Sequence, residues 1–199
     1  MSNESRPLRV VAVSGSLTAP SRTTALVEAI TAAFGRALPI EPHIITLNEL
    51  GPDLAGALTR KQLPPEAEAE LQLIENADLL VVATPVYRAS FTGLFKHLFD
   101  FVDQYALVDT PVLLAATGGS ERHALIIEHQ LRPLFGFFQS LALPVGVYAH
   151  DSDFENYVIS NEQLTDRIEK AIARALPLVR SSLVEKETIE RTLAGEDVS

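Results

Sequence analysis

The chain contains no cysteine among its 199 residues. Disulfides, thiolate metal ligands and a cysteine nucleophile are therefore excluded. No histidine or carboxylate cluster has the spacing of a zinc site. Positive charge is scarce: 16 Lys and Arg stand against 26 Asp and Glu, a formal net charge of −10. A nucleic-acid binder needs a basic footprint to neutralise phosphates, and this balance argues against one. An anionic ligand would have to be held by local groups rather than by the global field. Every apolar run is far shorter than the ~20 residues of a membrane span. The polar start, MSNESRPLR, lacks the apolar stretch of a secretion signal. These absences read as a soluble, cytoplasmic protein. Two phosphate-binding signatures are missing too: the G-x-G-x-x-G of dinucleotide folds and the Walker pattern with its lysine.

What is present is an alternation of short apolar runs and longer amphipathic stretches. Residues 8–13 form the first run and end in Ser14-Gly15-Ser16. Residues 21–38 carry Leu26, Ala29, Ile30, Ala33 and Phe34 at helical spacing, and Pro39 ends the stretch. Residues 43–47 read as a second strand, 50–64 as a loop rich in Gly and Pro, and 65–76 as a helix with proline in its first turn. Residues 78–84, DLLVVAT, are almost wholly apolar, as in a strand buried on both faces at the centre of a parallel sheet. A helix over 91–102, a strand over 111–116, a long helix over 120–141, a strand over 144–149 and a helix over 161–179 follow. The polar segment 181–199 reads as a tail, partly helical and outside the core. The domain is therefore expected to span 1–180.

The pattern βαβαβαβαβα predicts an α/β fold, with right-handed crossovers placing helices on both faces of a parallel sheet. Five strands suit the flavodoxin-like order 2-1-3-4-5, whose ligand sits beyond the strand carboxyl ends at the switch between strands 1 and 3. Three loops fall there. The first, residues 14–24 (SGSLTAPSRTT), supplies hydroxyls from Ser14, Ser16, Thr18, Ser21, Thr23 and Thr24, one guanidinium at Arg22, and the start of a helix. A helix N-terminus carries unsatisfied N–H groups and partial positive charge, so the loop suits a terminal phosphate monoester. The second, residues 84–93 (TPVYRASFTG), has Pro85 to set chain direction and Tyr87 to offer a flat face with a polar tip. The third, residues 116–123 (ATGGSERH), has Gly118 and Gly119, which let backbone approach a ligand closely. Each loop alone also reads as an ordinary connection with a capping hydroxyl or a tight turn. Their coincidence at the ends of strands 1, 3 and 4 points to a mononucleotide site.

At these residues the chain resembles the NAD(P)H-dependent FMN reductases, from about Leu8 to Leu178. The likeness rests on SGS…PSRT, on ATPVYRASFTGLFKHLFD and on LAATGGSERH. It is strongest to reductases serving two-component alkanesulfonate or methanesulfonate monooxygenases, where ATGG is followed by a His and then a helix with R/K-P-L, here His123 and Arg132-Pro133-Leu134. The resemblance implies that Ser14, Ser16, Ser21, Arg22 and Thr23 hold the FMN phosphate. It implies that the isoalloxazine lies against Pro85, Val86, Tyr87, Arg88, Thr117, Gly118 and Gly119. Hydride would pass from NADH or NADPH to the flavin, with no side-chain catalyst, and FMNH2 would leave for a partner monooxygenase. Two departures stand out. Many relatives have Arg at the position of Thr18, and some place a Tyr in a π-bulge at a tetramer interface where this chain has His129. The resemblance implies a homodimer or homotetramer, with the helix over 120–141 as a candidate interface. A quinone or azo reductase that retains its FMN, and a non-enzymatic electron carrier, are the alternatives. Tyr87 is the one aromatic in the three loops that could bracket a ring, which disfavours a carrier. His123 reads as a helix-surface residue, Lys96 and Asp100 as a stabilising pair, and Phe135, Phe137 and Phe138 as either core or interface.

Overall fold

The computed structural model describes residues 6–193. The strands β1 (Leu8–Ser14), β2 (Ile40–Thr46), β3 (Leu79–Pro85) and β4 (Pro111–Gly118) pair in parallel. The sheet is completed by two short segments, β5 (Leu141–Ala142) and β6 (Val147–His150), both parallel to β4, giving the order β2-β1-β3-β4-β5. This is the flavodoxin-like α/β sheet. The expected fifth strand at 144–149 is thus two segments separated by residues 143–146. Proline and glycine at Pro144 and Gly146 interrupt the ladder there.

Helices cover both faces because the central strands bury both. Val10 and Ala12 of β1 join Leu79, Val81 and Ala83 of β3 and Leu113 and Ala115 of β4 under α1 (Arg22–Ala37) and α6 (Glu162–Leu193). The alternate residues, Val11, Val13, Leu80, Val82, Val112 and Leu114, face α2 (Leu47–Ala55), α3 (Pro65–Glu75), α4 (Gly93–Phe101) and the segment leading into α5 (Arg132–Phe137). That period of two is the pleat of a strand read from both sides. Phe95, Phe99, Phe135 and Phe138 meet in this second layer, with Phe99 and Phe135 ring centroids 5.0 Å apart. Phe135 and Phe138 are therefore core residues, whereas Phe137 is exposed.

Three stretches differ from expectation. Residues 47–55 form α2, although the sequence pattern ends a strand at Leu47 and reads 50–64 as loop, because Leu47, Leu50 and Leu54 at helical spacing bury one face despite Gly51 and Pro52. The long helix expected over 120–141 is instead a 3₁₀ turn at Glu121–His123, a π-helical turn at Ile127–Leu131 and the short α5. Pro133 has no N–H to donate to the His129 carbonyl. Just before it, the Arg132 N–H donates to the Ile127 carbonyl, five residues back, so the ladder slips into π register. The last helix, expected to end at 179, continues to Leu193. Leu183 packs on the core, and the Ser182 hydroxyl donates to the Asp109 carbonyl. Residues 194–199 of the expected tail lie outside the described residues. Among the described residues no helix is long and apolar enough to cross a membrane.

Candidate active site

The strand register brings the carboxyl ends of β1, β3, β4 and β6 to one edge: Ser14 pairs with Ala83, Pro85 with Thr117, and Gly118 with His150. The loops that leave this edge enclose a cleft of about 290 Å³. That is the low end of the usual range for small-molecule pockets, as suits an open cleft.

The first loop ends at the N-terminus of α1. Ser21 is its N-cap, with extended backbone (φ −141°, ψ 133°) and a side chain accepting from the Thr23 and Thr24 N–H groups. The N–H groups of Ser16, Leu17, Ala19, Ser21 and Arg22 donate to nothing among the described residues. They add to the partial positive charge of the helix end, so this rim suits an anion. Ser14 is fully buried, and its hydroxyl pairs with that of Thr24 at 2.8 Å. It braces the helix start and does not line the cleft. Gly15 is required by close approach: a Cβ there would lie 2.8 Å from Phe95 and 3.1 Å from the Ala83 carbonyl. The Thr92 hydroxyl donates to the Gly15 carbonyl at 3.1 Å and accepts from the Phe95 N–H, tying this loop to the start of α4.

The second and third loops are joined to each other and to the first. The Val86 N–H donates to the Thr117 carbonyl at 2.9 Å, so that donor is committed within the protein. The Thr117 hydroxyl pairs with that of Thr23 at 2.7 Å, both buried. Beyond Val86 the chain turns tightly, with Tyr87 and Ser90 exchanging backbone hydrogen bonds across Arg88 and Ala89. These two have φ of 51° and 68°, a hairpin turn that ordinarily takes Asn-Gly. The turn leaves Tyr87 half exposed at the cleft and carries Arg88 outside it. Gly118 and Gly119 form a cradle that side chains would fill. A Cβ on Gly118 would meet the Tyr148 hydroxyl at 2.6 Å, and one on Gly119 would meet Asp151 Oδ2 at 3.2 Å.

The cleft thus gathers Ser16, Ser21, Arg22, Thr23, Pro85, Val86, Tyr87, Thr117, Gly118 and Gly119 from the expected set, while Ser14 and Arg88 stand outside it. Thr18 also lines it. Asp151 and Tyr157 complete the wall and were not anticipated. Asp151 opens a 3₁₀ turn directly after β6, and Tyr157 sits in the turn of a short hairpin formed by β7 (Phe154–Glu155) and β8 (Val158–Ile159). The available signal was the DSDFENY run after the last strand, at the same sheet edge as the other loops. His123 closes the 3₁₀ turn and lines a neighbouring hollow with His129, and its buried Nδ1 has no hydrogen-bond partner among the described residues. Lys96 and Asp100 pair on the exposed face of α4, away from the cleft.

A parallel sheet whose switch point carries an anion-seeking helix end and a glycine cradle defines a flavodoxin-like protein with a mononucleotide-sized cleft. The chain matches the NADPH-dependent FMN reductase family over residues 8–155 and belongs to it. It is 59% identical over 179 residues to the NADH-dependent FMN reductase SfnF of Pseudomonas fluorescens, covering 90% of this chain and 96% of that one. It is 56% identical to an FMN reductase (NADPH) of Pseudomonas aeruginosa, covering 86% and 92%. Among solved structures, an oxidoreductase from Corynebacterium diphtheriae superposes with a TM-score of 0.77 at 35% identity, covering 89% of this chain and 99% of its own. The apo form of an NADH:FMN oxidoreductase (EMOB) gives a TM-score of 0.74 at 30% identity, covering 86% and 88%.

Proposed function

We propose that the chain is an NAD(P)H:FMN oxidoreductase that works in this cleft and supplies FMNH2 to a partner sulfonate monooxygenase. The balance is NAD(P)H, one proton and FMN giving NAD(P)+ and FMNH2. The observation that carries the reading is that one cleft gathers two kinds of group. Its lining includes N–H groups with no acceptor among the described residues, hydroxyls and Arg22, as a phosphate monoester needs. It also includes Pro85, Val86, Tyr87 and the Gly118–Gly119 cradle, as a planar ring needs.

In this reading Ser16, Ser21, Arg22 and Thr23 bind the phosphate, with Ser14 bracing the helix start beneath them. Pro85, Val86, Tyr87, Thr117, Gly118 and Gly119 receive the isoalloxazine, while Arg88, expected beside them, stands outside the cleft lining. The flavin and the nicotinamide supply the hydride chemistry; the protein's share is to hold two rings face to face and limit water. The flavin-binding unit is residues 1–180, with 181–199 appended to it. The enzyme is cytoplasmic and a homodimer or homotetramer, with a subunit contact on residues 120–141. Support for that contact is the π-helical turn bearing His129 and the exposed Leu125 beside it.

Anaerobic mixing of the protein with excess FMN and NADH or NADPH, followed near 450 nm, tests the reading. Bleaching of many flavin equivalents per chain is the expected result. Bleaching of a single equivalent would favour a quinone or azo reductase that keeps its flavin, and no bleaching with either nucleotide would overturn the reductase.

A further inference from the structure

Among the residues lining the cleft, Arg22 is the one cation and Asp151 the one anion. They face each other, Arg22 Nη1 to Asp151 Oδ1, at 3.5 Å, both half exposed. A half-exposed pair at this length is a loose one. The guanidinium also lies 5.7 Å from the centre of the Tyr157 ring, at the tip of the β7–β8 hairpin. Asn156 and Tyr157, with φ of 47° and 65°, make the turn that puts the ring there.

Asp151 itself sits on a firm base. Two residues on, Asp153 is buried and accepts from the His150 N–H at 2.8 Å, Asn161 Nδ2 at 2.6 Å and Arg167 Nη2 at 2.7 Å. On its other side Asp151 lies against the cradle, near enough to Gly119 that a Cβ there would touch its Oδ2. The chain under Asp151 is therefore anchored at the cleft wall, and Arg22 is the one charged partner its carboxylate meets among the described residues.

A phosphate monoester carries between one and two negative charges near neutral pH and takes a guanidinium through two parallel hydrogen bonds. It and Asp151 then compete for the same cation. When the phosphate takes Arg22, Asp151 is left unpaired and facing a second anion. We infer that Asp151 is a specificity-determining residue that weakens the grip on the phosphate, so that FMN and FMNH2 exchange rather than stay bound. The inference rests on the reading that this cleft binds FMN. Oxidised and reduced flavin carry the same phosphate, so both are released by the same repulsion. A flavin without phosphate does not meet it.

The test is Asp151→Asn in the full chain, which keeps size and removes charge. Dissociation constants for FMN and for riboflavin are read from flavin fluorescence, and FMN release from stopped-flow dilution. The FMN constant is expected to fall five- to tenfold, about the size of one like-charge contact near 4 Å in well-solvated surroundings, and release is expected to slow to match. Riboflavin binding is expected to stay within about twofold of the wild type, which also reports that the variant is folded. Asp151→Glu, which keeps the charge, is expected to hold FMN as weakly as the wild type. An unchanged FMN constant in the Asn variant, or equal tightening for both flavins, would overturn the role of Asp151. Wild-type protein that binds FMN no better than riboflavin would instead overturn the underlying phosphate assignment.

Discussion

Replacing Gly118 with alanine probes the cradle directly. The added Cβ would stand 2.6 Å from the Tyr148 hydroxyl oxygen, well inside van der Waals contact. Tyr148 cannot simply retreat, because that hydroxyl donates to the Ser120 carbonyl at 2.6 Å and its ring packs on the core. Losing such a hydrogen bond costs about 0.5–1.5 kcal/mol. Overpacking a filled site costs about 1–3 kcal/mol. Partial relaxation shares these terms, so Gly118→Ala is expected to destabilise by about 2–3 kcal/mol. For a domain of this size that lowers Tm by roughly 4–12 °C. Tyr148→Phe alone is expected to cost about 1 kcal/mol, the size of a lost hydrogen bond. With the hydroxyl gone the alanine methyl has room. The double variant is therefore expected to be more stable than the sum of the two by at least about 1 kcal/mol. Urea unfolding of the four proteins without flavin measures the cycle. Additivity within about 0.5 kcal/mol would refute the contact as the cause.

Two further outcomes follow from features near and far from the cleft. Ala89 sits at φ 68° in the turn after Tyr87. Releasing an L-residue from that region is worth about 1–2 kcal/mol, offset by about 0.5–1 kcal/mol of unfolded-state entropy for glycine. Ala89→Gly is expected to raise the urea midpoint modestly, and a lowered midpoint would contradict the strain. Asp78 lies at the opposite end of the sheet with a fully buried side chain. Burial pushes its carboxyl up, but hydrogen bonds from Arg6 and Arg9 outweigh this and hold it well below the usual carboxylate range. A depressed folded-state pKa contributes stability above the unfolded value, near 4, and that stability is lost as pH falls below it. Asp78→Asn is expected to weaken the protein at pH 7 and to flatten its acid-unfolding limb below about pH 4. A variant with an unaltered acid limb would remove Asp78 as its source.

The sheet order and the placement of the three loops were legible because they rest on patterns that need no tertiary knowledge. The all-apolar run before Thr84, the alternation of strand and helix lengths, and the hydroxyl-rich start of α1 each carry their own physics. What escaped depended on contacts between distant residues. Gly51 and Pro52 read as loop chemistry, yet burial of Leu47, Leu50 and Leu54 outweighs them. The break of the 120–141 helix turns on Pro133 and a one-residue slip that periodicity does not register. Asp151 and Tyr157 reach the cleft only because β6 ends beside Gly118 and a two-residue turn folds the following chain back. Polar composition after 180 likewise hid a helix that Leu183 and Lys186 tie to the body, the latter 3.6 Å from Asp78.

The measurement that bears most directly on the site is steady-state FMN reduction by the wild type and by Arg22→Gln, with riboflavin as a parallel substrate. A guanidinium–phosphate contact is worth about 1.5–3 kcal/mol, so kcat/KM for FMN is expected to fall roughly ten- to a hundredfold. Its loss should appear in KM, with kcat at saturating FMN and the riboflavin rate left near the wild-type values. An Arg22→Gln enzyme that uses FMN as efficiently as the wild type would contradict the assignment of this cleft as the place where FMN is held and reduced.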